Sequence, residues 1–178
     1  TSAICSHDGG AKTLVIEKSN QYGGTSATSG GGVWIPNNRY AKAENVDDSD
    51  QDARDYINSV SPEGMIKDEL IETYISEGPK MIDYLHENSQ VKYRNLSHYP
   101  DYFPDNPGGK EGNRSMEPEP INGTILGTDL GKLREQHPQT AFTMGPINMN
   151  FTQVEGQLLL GALPGWKTLF AKLFTKYI

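Results

Sequence analysis

The segment Tyr22 to Trp34, Tyr-Gly-Gly-Thr-Ser-Ala-Thr-Ser-Gly-Gly-Gly-Val-Trp, constrains this chain more than any other. Gly23, Gly24, Gly30, Gly31 and Gly32 crowd into it, with the hydroxyls of Thr25, Ser26, Thr28 and Ser29 between them. Glycine lets a backbone pass close to a ligand and adopt positive φ. Hydroxyls and bare backbone N–H groups are what a pyrophosphate binds. A flexible linker has a similar composition. Linkers are rarely set between an apolar strand, here Thr13-Leu-Val-Ile-Glu, and a bulky run such as Val33-Trp-Ile-Pro. The near-continuous apolar character of 13–17 predicts a strand of a parallel sheet buried on both faces. In a dinucleotide-binding unit the acid closing the second strand, here Glu17, binds ribose hydroxyls about 20 residues after a G-x-G-x-x-G turn. Counting back from Glu17 runs past Thr1. The first strand and its phosphate turn are therefore expected outside this sequence, with Thr1 to His7 as the tail of a helix stopped by Gly9-Gly10.

Composition narrows the function classes. The 178 residues fit one domain by length, and 19 glycines with 11 prolines make much of it loop. A net charge of −7 argues against nucleic acid as the main partner. The single cysteine, Cys5, excludes an internal disulfide and suits a reducing cytosol, so a cytoplasmic protein is expected. No apolar run approaches the ~18 residues of a membrane span. Four Asn-x-Ser/Thr matches, at Asn95, Asn113, Asn122 and Asn150, read as chance occurrences.

Elsewhere the periodicity predicts helices. One covers Asp50 to Val60, with Asp47, Asp48 and Asp50 near its start, where the helix dipole favours acids. A second covers Met65 to Glu77, ends at Gly78-Pro79, and is followed by another opened by Pro79 that carries Met81, Ile82 and Leu85. Two more cover Gln153 to Leu163 and Trp166 to Ile178, the latter with a stripe of Trp166, Leu169, Phe170, Leu173, Phe174 and Tyr177. A short strand falls near Val91 to Tyr93, and Tyr99 to Leu126 reads as one long loop. Asp48-Ser-Asp50-Gln-Asp52 imitates a calcium loop but has Ala53 and Ser59 where that loop needs Gly and Glu, so it reads as a solvated helix start. His7, His86, His98 and His137 show no metal spacing. His98-Tyr-Pro-Asp-Tyr-Phe-Pro-Asp-Asn-Pro-Gly-Gly sets three aromatics among prolines, which suits either packing or the lining of an apolar pocket.

Thr13-Leu-Val-Ile-Glu-Lys followed by the glycine segment and Ile35-Pro-Asn resembles the FAD-binding segment of the 3-ketosteroid dehydrogenase and fumarate reductase flavoprotein superfamily. Tyr99-Pro-Asp-Tyr-Phe-Pro, then Pro107-Gly-Gly, Gly112-Asn-Arg-Ser and Glu117-Pro, resembles the ketosteroid branch more closely. The resemblance covers essentially the whole chain. It implies an α/β fold: a partial Rossmann-like FAD-binding domain with mostly helical and loop segments, truncated at both ends. Residues 1–40 would belong to the FAD-binding domain and 41–178 would lead toward a catalytic domain. The cofactor implied is FAD. Glu17 would bind the adenosine ribose, Lys18, Gly24, Thr25 and Ser26 would lie along the FAD, and Ser29, Gly30, Gly31 and Gly32 would approach the pyrophosphate and flavin. Tyr102 would support a proton-abstracting tyrosine located in later sequence. The implied substrate is an apolar, steroid-like ketone, dehydrogenated next to its carbonyl with hydride passing to the flavin. The rest of the polypeptide would be needed for activity. Fumarate chemistry would need arginine and histidine to grip two carboxylates, and Arg94, Arg114 and Arg134 form no evident clamp with a histidine. A non-enzymatic nucleotide-binding module is the reading from another class. The insert after Phe103 leaves the position of the new double bond open.

Overall fold

The computed structural model describes residues 1–135, 142–144, 147–149 and 152–177, so His137 and Asn150 lie outside it. The chain forms two compact units, each discontinuous in sequence: Thr1–Val15 with Gly32–Glu119, and Ile16–Gly31 with Pro120–Ile178.

The first unit opens with α1 (Ser2–Asp8), closed at Gly9 as its sequence indicates. Then come β1 (Val33–Trp34), α3 (Arg39–Ala43), α4 (Asp50–Val60), α5 (Asp68–Asn88), β2 (Tyr93–Asn95) and β3 (Ser115–Pro118), with α2 (Gly24–Thr28) belonging to the second unit. Buried Asn38 starts α3: its Oδ1 accepts from the N–H groups of Tyr40 and Ala41, and its Nδ2 donates to the carbonyls of Ile35 and Asn113. Ser49 starts α4, its Oγ accepting from the Asp52 N–H at 3.0 Å, and Asp50 and Asp52 fill the favourable first turn.

Where the sequence predicts two helices broken at Gly78-Pro79, the structure has one, α5, running through Pro79. A proline inside a helix costs ~3 kcal/mol or more. The cost is outweighed because Ile71 and Ile75 before it and Ile82 and Leu85 after it are all buried on one continuous face, each contributing about 1.5–3 kcal/mol. Gly78 serves packing, since a Cβ there would meet Ile35 Cδ1 at 3.3 Å. Replacing Pro79 with alanine is expected to raise the unfolding free energy by about 1–3 kcal/mol, read from a urea denaturation midpoint. A lower midpoint would show that the ring itself packs favourably.

The three strands form an antiparallel sheet in the order β1-β3-β2, with Val33 opposite Met116, Trp34 opposite Ser115 and Asn95 opposite Met116. β3 lies inside the stretch that the sequence reads as a loop to Leu126. A four-residue strand ending in proline carries no usable alternation, and its neighbours decide its conformation. Ile35, Ile82 and Met116 form one core cluster with Val33, Tyr40, Met81 and Tyr93 packed on it, and Ala53, Ile71 and Ile75 form another with Ile57.

The segment predicted as a parallel strand, 13–17, pairs with no strand among the described residues. Leu14, Val15 and Ile16 are 83%, 76% and 85% exposed. A strand buried on both faces exists only between hydrogen-bonded neighbours. The strands described are antiparallel, and the parallel pairing among these residues is an isolated bridge between Tyr22 and Leu133. The fold observed is therefore a set of helices with a small antiparallel sheet.

In the second unit, α2 is followed by a 3-10 segment (Gly123–Lys132) that bends at Gly127, where φ is 53°. Tyr22 fastens this segment: its N–H donates to the Lys132 carbonyl, its carbonyl accepts from the Arg134 N–H, and its phenol donates to the Asp129 carbonyl. The hairpin strands β4 (Phe142–Met144) and β5 (Ile147–Met149) pair antiparallel. α6 (Gln153–Leu160) begins with a capping box between Thr152 and Glu155. It packs on α7 (Trp166–Tyr177), where Leu173 is buried and Phe170 stacks on Phe174. Among the described residues no helix is long and apolar enough to cross a membrane.

Candidate functional site

Eight of the residues singled out in the sequence fall in the second unit: Glu17, Lys18, Gly24, Thr25, Ser26, Ser29, Gly30 and Gly31. Glu17 and Lys18 are exposed, and the Glu17 carboxylate accepts from the Ser19 N–H at 2.9 Å. The turn into α2 requires glycine. Gly23 has φ of 111°, and a Cβ there would lie 2.6 Å from the Ala27 Cβ. Gly24, at φ 54°, has no atom within 4 Å of the place a Cβ would occupy, so its backbone is open to a close approach. No side chain caps α2 and no acidic residue lies in its first turn, which leaves the leading N–H groups as donors. Thr25 and Ser26 are exposed beside them. Thr28 Oγ1 and Ser29 Oγ instead donate back to the carbonyls of Thr25 and Ser26, and Ser29 Oγ accepts from the Gly31 N–H. At Gly30 a Cβ would meet the Gln153 side chain at 2.7 Å. Open glycine backbone at Gly24, uncapped N–H groups and the exposed Thr25 and Ser26 form a donor set that fits a phosphate-bearing group.

Gly32 and Tyr102 belong to the first unit. Tyr102 is 86% exposed, yet the loop carrying it is tied down on both sides. Asp101 is buried. Its Oδ1 accepts from Trp34 Nε1 at 2.6 Å, and its Oδ2 accepts from Arg114 Nη1 and from the Lys110 N–H, both at 3.0 Å. The Asp101 N–H donates to the Lys110 carbonyl at 2.9 Å, and the Phe103 N–H donates to the Tyr56 hydroxyl. Arg114 spends its Nε and Nη2 on Asp48, the latter at 2.7 Å, and its guanidinium lies over the rings of Trp34 and Tyr56 at 5.4 and 5.7 Å. The side chains of Arg114, Asp48 and Asp101 are 1%, 3% and 2% exposed. Trp34 also stacks on Tyr74, whose phenol donates to the Trp34 carbonyl and whose pKa is pushed up by burial.

The reading of 48–52 as a helix start holds, with Asp50 exposed, but the cluster corrects the view of its acids as simply solvated. Asp48 is buried against Arg114, Asp50 accepts from Asn37 Nδ2, and Asp52 pairs with Lys110 Nζ at 3.0 Å. The Lys110 ammonium, with the Ser49 hydroxyl, holds the Asp52 carboxyl below its ordinary value. Asp101 and Arg114 were not singled out by the sequence as site residues. Arg114 meets Asp48 across 66 residues of chain, and no local pattern announces such a pair. Among the described residues no group of three or more His, Cys, Asp or Glu side chains is placed to hold a metal ion, and Cys5 is free and exposed.

The FAD binding domain family matches residues 1–169, and the chain belongs to that family. FAD, the cofactor expected from the sequence, is the one this family binds. A 3-oxosteroid 1-dehydrogenase of Mycolicibacterium smegmatis is 35% identical over 153 residues, covering 86% of this chain and 27% of that protein. A 4-oxocyclohexanecarboxylate 2-dehydrogenase of Sinomonas cyclohexanicum is 34% identical over 144 residues, covering 81% of this chain and 25% of that protein. The crystal structure of a 3-ketosteroid delta1-dehydrogenase from Sterolibacterium denitrificans, in complex with 1,4-androstadiene-3,17-dione, superposes with a TM-score of 0.85 at 34% identity over 96% of this chain and 29% of that one. The chain thus spans about a quarter of the length of the relatives it matches.

Proposed function

We propose that this chain forms the cofactor-binding end of an FAD-dependent dehydrogenase that desaturates a 3-ketosteroid-like substrate beside its ketone. The observation that carries this is the likeness to the Sterolibacterium dehydrogenase over 96% of the chain. Residues 1–40 supply part of a Rossmann-like cofactor domain, and 41–178 lead toward the catalytic domain. Glu17 accepts hydrogen bonds from the adenosine ribose. Lys18, Gly24, Thr25 and Ser26 lie along the dinucleotide, and Ser29 to Gly32 approach its pyrophosphate and flavin. FAD, when bound, supplies the hydride acceptor. Tyr102 supports removal of the proton from the carbon next to the ketone by a base contributed by other sequence. An exposed phenol on an anchored loop can face a substrate, and Tyr102 is 86% exposed.

Fumarate-type chemistry is disfavoured by what two arginines do. Arg94 Nε donates to Glu117, and Arg114 is enclosed between Asp48 and Asp101, so neither is free to grip a substrate carboxylate. The likeness to the Sinomonas protein favours a second reading, a monocyclic ketone acid in place of a steroid. The test uses the full-length gene product with a redox dye as acceptor. Dye reduction with 4-androstene-3,17-dione is expected, and Tyr102→Phe is expected to lower kcat on the order of 100-fold with the flavin absorbance intact. Turnover of 4-oxocyclohexanecarboxylate without turnover of the steroid would establish the second reading. No dye reduction with either ketone by the flavin-loaded protein would sink both.

A further inference from the structure

Among the loop's connections, Asp101 stands out because both carboxylate oxygens and the backbone N–H all fix the chain. Its carboxylate reaches β1 through the Trp34 indole, the segment before β3 through Arg114, and the returning arm of its own loop through the Lys110 N–H. Its backbone N–H closes the same arm from the other side. One residue onward the direction reverses: Tyr102 projects outward, and the Phe103 N–H is fastened again to Tyr56. The phenol therefore leaves the loop from a backbone held on either side, and the buried carboxylate sets where it leaves. A hydrophobic residue would fill the space of Asp101 without the cost of desolvating charge, and buried ion pairs are weak evidence for stability as such. What the carboxylate adds is direction. It receives three donors from three separate segments, and the phenol is carried by the very next residue.

The geometry assigns Asp101, through Arg114 and Trp34, the role of positioning residue for Tyr102: the buried carboxylate holds the loop so that the phenol stands at one height and angle toward the substrate. This rests on the reading of Tyr102 as a residue facing the substrate. Asp101 touches no substrate. Asp48 completes the arrangement by holding the far side of the guanidinium, so that Nη1 remains directed at Asp101.

The experiment is a double-mutant cycle in the full-length gene product, with 4-androstene-3,17-dione and a redox dye, comparing Asp101→Asn, Tyr102→Phe and the pair. Asparagine keeps the shape and can accept from the indole, but loses the charge that orients Arg114. Asp101→Asn alone is expected to lower kcat on the order of 10- to 100-fold, the loss that misplacement of about 1 Å produces, with KM and flavin content little changed. In the Tyr102→Phe background the same substitution is expected to cost less than 3-fold, because the group it positions has gone. Equal losses in both backgrounds, or none in either, would overturn the positioning role while leaving Tyr102 itself intact. If Tyr102→Phe alone leaves kcat unchanged, the functional reading of Tyr102 fails and the positioning role falls with it. Should Asp101→Asn not yield folded flavoprotein, Trp34→Phe replaces it in the cycle. That variant removes the indole donor and leaves a ring over Arg114, and the same dependence on Tyr102 is expected at a smaller fold-change.

Discussion

Arg114→Ala is expected to lower the unfolding free energy of the protein by about 3–5 kcal/mol, the range measured when one partner of a buried ion pair is removed. The size follows from what would remain. Asp48 and Asp101, both almost fully enclosed, would keep two carboxylates facing a space from which the neutralising guanidinium had gone. Trp34 and Tyr56 would lose the cation that lies on their faces. Arg114→Lys is expected to recover only part of the loss, since one ammonium cannot replace Nε and Nη2 toward Asp48 and Nη1 toward Asp101. Urea denaturation followed by tryptophan fluorescence reports the cluster directly, because Trp34 is part of it. A loss below about 1 kcal/mol for the alanine variant would mean that water reaches the two carboxylates and that the cluster is not sealed.

Gly108→Ala ranks next, at about 2–5 kcal/mol, combining the strain of a left-handed conformation with overpacking. Gly108 has φ of 71°, and a Cβ there would fall 2.0 Å from the Asp52 carbonyl oxygen and 2.9 Å from the Tyr56 nitrogen. Those are backbone atoms of α4, so neither can swing aside. Gly64 provides the comparison within the same unit. Its φ is also 71°, but nothing lies within 4 Å of its Cβ direction, so Gly64→Ala is expected to cost only about 1–2 kcal/mol for the conformation alone. Thermal midpoints of the two variants separate steric contact from backbone strain. Equal losses would show that α4 yields to the intruding methyl.

Elements with a strong local signal were legible in the sequence. α4 runs from Asp50 to Val60, the bounds read from the sequence with its leading acids, and the stripe of α5 was visible on either side of Pro79. At Pro79 local backbone preference lost to burial of Ile75 and Ile82. β3 was invisible because its four residues owe their conformation to β1 and β2. The strand predicted at 13–17 has the right residues, but a strand is a relation between segments, and the described residues offer it no neighbour. The candidate site divides in the same way. The glycine segment announced itself because conformational freedom is a property of single residues. The buried cluster of Asp48, Asp101 and Arg114 was hidden because ion pairs that span 66 and 13 residues of chain leave no local pattern on any of the three.

The fastening of the Asp101 loop also bears on when the protein can open. A solvent-facing tyrosine usually marks a segment that frays readily, yet here the amides of Asp101 and Lys110 are both donated inward. Their acceptors belong to a cluster that also holds β1, α4 and the approach to β3. Small excursions of the loop alone would have to break that cluster, so hydrogen exchange at these two amides is expected to follow the cooperative opening of the whole unit rather than local breathing. The loop that presents Tyr102 is thus surface by position and core by cooperativity.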